Sequence, residues 1–207
     1  MIPVPRSSRL SVRKLRSRLG VRVGSFALVF ALLAVIPGAA LAIGVGETAP
    51  DFLLEDVRTG DPISLADERG NVVVLVFFAW WCPPCQSWSP YIMEQLIAPL
   101  AERDNVTVIA VASRLGTTKS DVLTHMETHG WDFPVVLDNA TDLVYVMYGD
   151  SQDTFLVLDG NAVVRYKSGY GQNSAATTFP GVIQTADDIL AVPVEPATWG
   201  AIKRLFP

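Results

Sequence analysis

Residues 71–78 read Asn-Val-Val-Val-Leu-Val-Phe-Phe and lead through Ala79-Trp80-Trp81 into Cys82-Pro83-Pro84-Cys85. Seven successive apolar residues cannot alternate between a wet and a dry face. The run therefore predicts a central strand buried on both sides. The next segment, 83–103, changes period: Trp88, Tyr91, Ile92, Leu96 and Leu100 recur every three or four residues, a helical stripe. Pro83 and Pro84 suit a first helical turn, where a missing backbone donor costs nothing. Pro90 predicts a kink, and Pro99 a disturbed last turn. The two cysteines thus stand where a buried strand becomes a helix.

The rest of the chain repeats this grammar. Residues 43–61 predict a loop entering a short edge strand, and Val106–Ala112 a second buried strand. A helix is expected over 118–129, ended by Gly130, then an extended piece at 133–138 and a short helix at 141–148 stopped by Gly149. Residues 154–158 and 162–168 flank Asp159-Gly160-Asn161, a hairpin signal. Beyond 172 the pattern weakens, with a last helix expected near 185–190. Strand–helix–strand followed by a hairpin implies an α/β fold with a mixed central sheet flanked by helices in a single domain.

The first 42 residues read as a signal peptide. Arg6, Arg9, Arg13, Lys14, Arg16, Arg18 and Arg22 precede an apolar run over 25–36 and then Pro37-Gly38-Ala39-Ala40-Leu41-Ala42. A basic, then apolar, then small-residue order predicts export with cleavage after Ala42. The run is shorter than the roughly 20 residues that span a bilayer, and left uncleaved it becomes an anchor. The expected organisation is a signal peptide at 1–42, a thioredoxin-like domain at 43–172 and a C-terminal helix and tail at 173–207. Seven of the sixteen basic residues lie in the leader, leaving nine against twenty-one acidic ones, a formal charge of −12. Such a balance argues against nucleic acid as a partner and, after signal cleavage, against a membrane surface. A periplasmic or secreted monomer is expected.

Export makes the cysteine count informative. Oxidising compartments favour disulfides, yet disulfide-stapled proteins carry several, and here there are two in 207 residues. Closing so short a loop constrains little chain entropy, so a structural staple explains them poorly. Redox chemistry explains them better. A free cysteine is only about 3 per cent thiolate at pH 7, and a helix start stabilises an anion by about 0.3–1 kcal/mol. Cys82, at the helix start, is expected to be the exposed nucleophile, and Cys85, one turn deeper, the resolving thiol.

The segment from Phe77 to Cys85 resembles the active-site segment of exported thioredoxin-like oxidoreductases of the TlpA/redoxin (AhpC/TSA-like) family. Ala49-Pro50-Asp51-Phe52, Phe133-Pro134-Val135 and Thr154-Phe155-Leu156-Val157-Leu158-Asp159-Gly160 extend the resemblance over 45–171. It implies a thioredoxin fold and thiol–disulfide exchange in the periplasm or an equivalent space. Pro83-Pro84 does not itself set the direction; the expectation is a reductant of exported protein disulfides, recharged by an upstream electron donor. No cofactor and no metal are implied. Trp81, Pro83, Pro84, Ser151 and Gln152 fall at substrate-contacting positions. Gln152 stands where the family enters its late strand through a cis-proline. A cis bond before a non-proline costs about 2.5–4 kcal/mol, so Ser151–Gln152 is expected to be trans and the substrate loop reshaped. The family often has a buried acid that assists proton transfer, and the nearest central-strand position here is Val76.

Three rival readings remain. A peroxiredoxin wants Pro-x-x-x-Thr-x-x-Cys, but Leu75 and Ala79 occupy those positions before Cys82. Metal handling could recruit the thiols with His125 and His129, although two histidines on a polar helix face are more simply solvated. A non-catalytic interaction module gains from the missing proline and loses from the retained cysteine pair.

Overall fold

The computed structural model describes residues 42–149 and 151–191. The leader reading and the expected tail over 192–207 lie outside the described residues. Two short strands, β1 (Leu53–Glu55) and β2 (Pro62–Ser64), form an antiparallel ribbon. The principal sheet has five strands in the order β5-β4-β3-β6-β7. They are β3 (Val72–Phe78), β4 (Val106–Ala112), β5 (Val135–Leu137), β6 (Thr154–Leu158) and β7 (Val164–Lys167). β3 pairs in parallel with β4 and antiparallel with β6, so the sheet is mixed about its central strand.

All seven residues of β3 are buried, and both faces are covered. Val72, Val74, Val76 and Phe78 join a cluster with helical residues, whereas Val73, Leu75 and Phe77 meet Ile43, Phe52, Val144 and Tyr148 on the other side. The unbroken apolar run is thus a consequence of two cores sharing one strand.

The predicted helix over 83–103 is interrupted. It comprises α1 (Pro83–Trp88), a tight turn at Ser89–Tyr91, a wide π turn at Met93–Ile97 and α2 (Ala98–Ala101). Pro90 lies in the tight turn, and Pro99 has no N–H to offer the Gln95 carbonyl, which leaves the preceding turn wide. Helix α3 (Lys119–His129) begins at a reciprocal cap between Thr118 and Asp121 and ends at Gly130, whose φ is 65°. Helix α4 (Val144–Tyr148) is shorter than expected because Asp138 caps it, accepting from the Val144 and Tyr145 amides.

The last helix, α5 (Ala175–Leu190), starts ten residues before the expected 185–190. Pro180 inside it hides the pattern. An internal proline costs about 3 kcal/mol. Burying Phe179, Val182 and Ala186 in the α1 face of the core offsets that cost, at about 1.5–3 kcal/mol for each large apolar side chain.

Candidate active site

The carboxyl end of β3, its parallel neighbour β4 and the entry to β6 converge on the cysteine pair. Cys82 is the cap residue of α1 and Cys85 lies in its first turn. Both are free thiols, buried in the same apolar cluster. Burial pushes the Cys85 thiol far above the usual cysteine range; the hydrogen bond with Cys82 and the charges of Cys82 and Asp153 push the same way. A backbone hydrogen bond with Ala79 opposes them.

Cys82 departs from expectation. It was expected to be exposed, but only 1% of its surface is accessible. Its side chain joins the apolar cluster of Phe78, Ala79, Cys85 and Trp88 under α1. The solvent-facing neighbours are instead Trp80 and Trp81, and both are anchored. Trp80 Nε1 donates to the Gly116 carbonyl at 3.2 Å and Trp81 Nε1 to the Leu115 carbonyl at 2.9 Å. The loop after β4 is thereby tied to the turn before the cysteines. Pro83 is exposed and Pro84 half-buried.

The late-strand loop matches the expectation drawn from Gln152: the Ser151–Gln152 bond is trans. Ser151 is exposed and Gln152 half-buried. The residue that follows was missed. Asp153 is wholly buried at φ 66°, its amide donating to the Phe77 carbonyl at 2.7 Å. One carboxylate oxygen accepts from Trp88 Nε1 at 2.8 Å and the other from the Gly171 amide at 2.8 Å. Burial raises its pKa, and these hydrogen bonds only partly counter that. Val76 contributes apolar packing, so the buried acid enters from β6 and not from the central strand. The one available signal was an aspartate placed directly before an apolar strand, which reads equally well as a turn residue.

The histidines also correct the sequence reading. His125 is buried, with Nε2 3.0 Å from Ser89 Oγ, whose hydroxyl donates to the Cys85 carbonyl at 2.7 Å. Desolvation, aided by His129, holds the His125 pKa down to about 4. The helix carrying them therefore lies beside α1. Among the described residues, no three His, Cys, Asp or Glu side chains cluster as metal ligands. Beneath the site the Tyr145 hydroxyl donates toward the Phe78 and Val111 carbonyls, at 2.8 and 3.0 Å.

Residues 45–167 match the AhpC/TSA family. The chain belongs to that family. It is 31% identical over 185 residues to the thiol-disulfide oxidoreductase ResA of Bacillus subtilis, covering 84% of this chain and 98% of that one. The ResA of Geobacillus thermodenitrificans is 37% identical over 125 residues, covering 60% and 68%. A structure described as a putative thiol:disulfide interchange protein DsbE from Chlorobium tepidum superposes with a TM-score of 0.57 at 27% identity, over 70% of this chain and 98% of that one. With relatives of this kind along most of its length, the AhpC/TSA chain is a thioredoxin-like disulfide oxidoreductase with a thioredoxin fold.

Proposed function

We propose that Cys82 and Cys85 are the redox pair of this enzyme and that it reduces disulfides of exported proteins. The observation that carries the reading is the placement of two free thiols, Cys82 capping α1 and Cys85 in its first turn, within one apolar cluster. Sulfurs so placed are within reach of a disulfide after modest rotation. The Cys82 thiolate attacks one sulfur of a substrate disulfide, forming a mixed disulfide and releasing the other substrate sulfur as a thiolate. Cys85 then loses its proton and attacks Cys82 Sγ. The substrate leaves as a dithiol, having gained two electrons, and the enzyme holds the Cys82–Cys85 disulfide until an upstream dithiol reduces it.

Cys85 holds its proton tightly, so the second step needs an acceptor. Asp153 is the carboxylate whose charge acts on that thiol, and its raised pKa suits it to take a proton and return it. The burial of Cys82 adds a requirement: the turn carrying Trp80 and Trp81 must part locally before a protein disulfide reaches the sulfur. Trp81, Pro83, Pro84, Ser151 and Gln152 are the proposed rim of that opening. The basic leader and the apolar run after it support an exported, periplasmic location.

Cys85→Ser should accumulate mixed disulfides through Cys82, and Cys82→Ser should accumulate none. The wild type should reduce insulin in the presence of a dithiol and equilibrate with glutathione at the potential of a reductant. Absence of both trapped partners and insulin reduction refutes the enzyme assignment to this pair; an oxidising potential refutes the direction.

A further inference from the structure

Beside the cysteine pair, between the start of α1 and the face of α3, lies a cavity of about 410 Å³ that the exchange chemistry does not use. Its walls include Trp80, two residues before Cys82, and Gln86, directly after Cys85, with Asp121, His125, Thr128 and His129 opposite. No lysine or arginine lines it.

The polar groups of these walls are mostly committed as acceptors. Gln86 donates one amide N–H to the Trp80 carbonyl at 2.7 Å, which leaves its side-chain oxygen as an acceptor beside one remaining N–H. Ser89 gives its hydroxyl proton to the Cys85 carbonyl, so His125 supplies Nε2–H to Ser89 and keeps Nδ1 unprotonated. Thr128 donates to the Thr124 carbonyl at 2.7 Å. One oxygen of Asp121 receives the Thr118 amide and hydroxyl, and no described residue bonds the other. Thr118 also holds the Asp121 carboxyl below its usual pKa, and desolvation keeps both imidazoles neutral. The cavity therefore carries one negative charge, a surplus of acceptors and an indole wall.

We infer that this cavity is a subsite for a cationic side chain, arginine or lysine, of the substrate polypeptide near its reacting cysteine. A guanidinium brings five donors and no acceptor, the complement of these walls. Its charge suits the Asp121 carboxylate, an indole wall attracts it further, and the −12 formal charge beyond the leader draws basic segments in. The inference rests on the proposed exchange at Cys82 and deepens it by naming a substrate class.

The test compares three disulfide-linked peptides, identical except for arginine, glutamine or glutamate flanking the cysteine. The mature dithiol protein reduces each at low and at physiological ionic strength. The arginine peptide should react about three- to tenfold faster than the glutamine peptide, the scale of one partly desolvated cation contact. Asp121→Asn, which keeps a cap acceptor for Thr118, should cut that ratio about two- to fourfold. Thr128→Lys, on an exposed helix position, should abolish it. Asp67→Asn, a charge-matched change on an exposed residue outside the cavity, should leave the ratio intact. Equal arginine and glutamine rates overturn the subsite, as does an Asp67→Asn effect as large as that of Asp121→Asn, since net charge then explains the preference. Failure to reduce any peptide overturns the exchange reading instead and removes the subsite with it.

Discussion

The hydrogen bond from Trp88 to Asp153 joins the helix carrying Cys85 to the strand entering beside it, and its strength can be isolated with a double-mutant cycle. Both side chains are fully buried and the bond is 2.8 Å long. A bond of this kind to an ionised acceptor contributes about 1.5–3 kcal/mol. Trp88→Phe also leaves a void beside Trp131, Phe155 and Phe179, so its total cost should reach about 3 kcal/mol. Asp153→Asn has one oxygen where two N–H donors await one each, which strands a donor at about 1–3 kcal/mol; losing a buried charge offsets part of this. Urea denaturation of the four proteins near pH 7.5 should give a coupling of about 2 kcal/mol. As pH falls and the carboxyl takes up its proton, it accepts as a neutral group, and the coupling should fall to about 1 kcal/mol. The native pKa of Asp153 is raised, so the folded state holds this proton more tightly than the unfolded chain. Its contribution is full below about 3.9, the unfolded value, and is lost as pH rises through the native one. Wild type should therefore lose stability relative to Asp153→Asn as pH rises above about 3.9, while the His125 titration cancels between them. A flat difference, or a coupling under about 0.5 kcal/mol, refutes the reasoning.

Two further outcomes follow from other buried groups. His125 should titrate near 4 by proton NMR, and because its native pKa lies below the unfolded one, its stabilisation is present above about 6.5 and fades as pH falls toward 4; a midpoint near 6.5 contradicts its burial against Ser89. Tyr145→Phe removes the hydroxyl that reaches the Phe78 and Val111 carbonyls and should destabilise by about 1–2 kcal/mol in denaturant, and no measurable change would refute a stabilising role for that hydroxyl beyond the bond the Ser113 amide already gives Phe78.

What was legible in the sequence is what has a local cause. The β3 run is apolar because both its faces are covered, and that is visible residue by residue. Thr118 with Asp121 starts α3, Gly130 ends it, and Asp159-Gly160 turns the hairpin, each within a few residues. Pro90 and Pro99 forecast breaks that α1 and α2 indeed show. The misses have distant causes. His125 looks solvated on a helix with few large apolar residues, and partners distant in the chain bury it: Ser89, 36 residues earlier, together with Phe78 and Trp131. The start of α5 is obscured by Pro180, and the packing that outweighs the proline comes from strands earlier in the chain.

Asp153 makes the point most sharply, because its role follows from the same substitution that obscured it. With Gln152 ahead of β6 and a trans bond before it, the chain reaches the strand through a left-handed residue. At φ 66° that residue turns its amide to Phe77 and its carboxylate under α1. Few residue types adopt this conformation readily, and aspartate is one of them. The partner for its carboxylate is Trp88, 65 residues away and one turn beyond Cys85. The acid is thus placed by backbone geometry on one strand and by an indole on another element, and neither is a motif that spacing can reveal. What ties both to the proposed exchange is electrostatic: burial raises the Cys85 thiol, the Asp153 charge adds to it, and the same carboxylate is the group proposed to receive its proton.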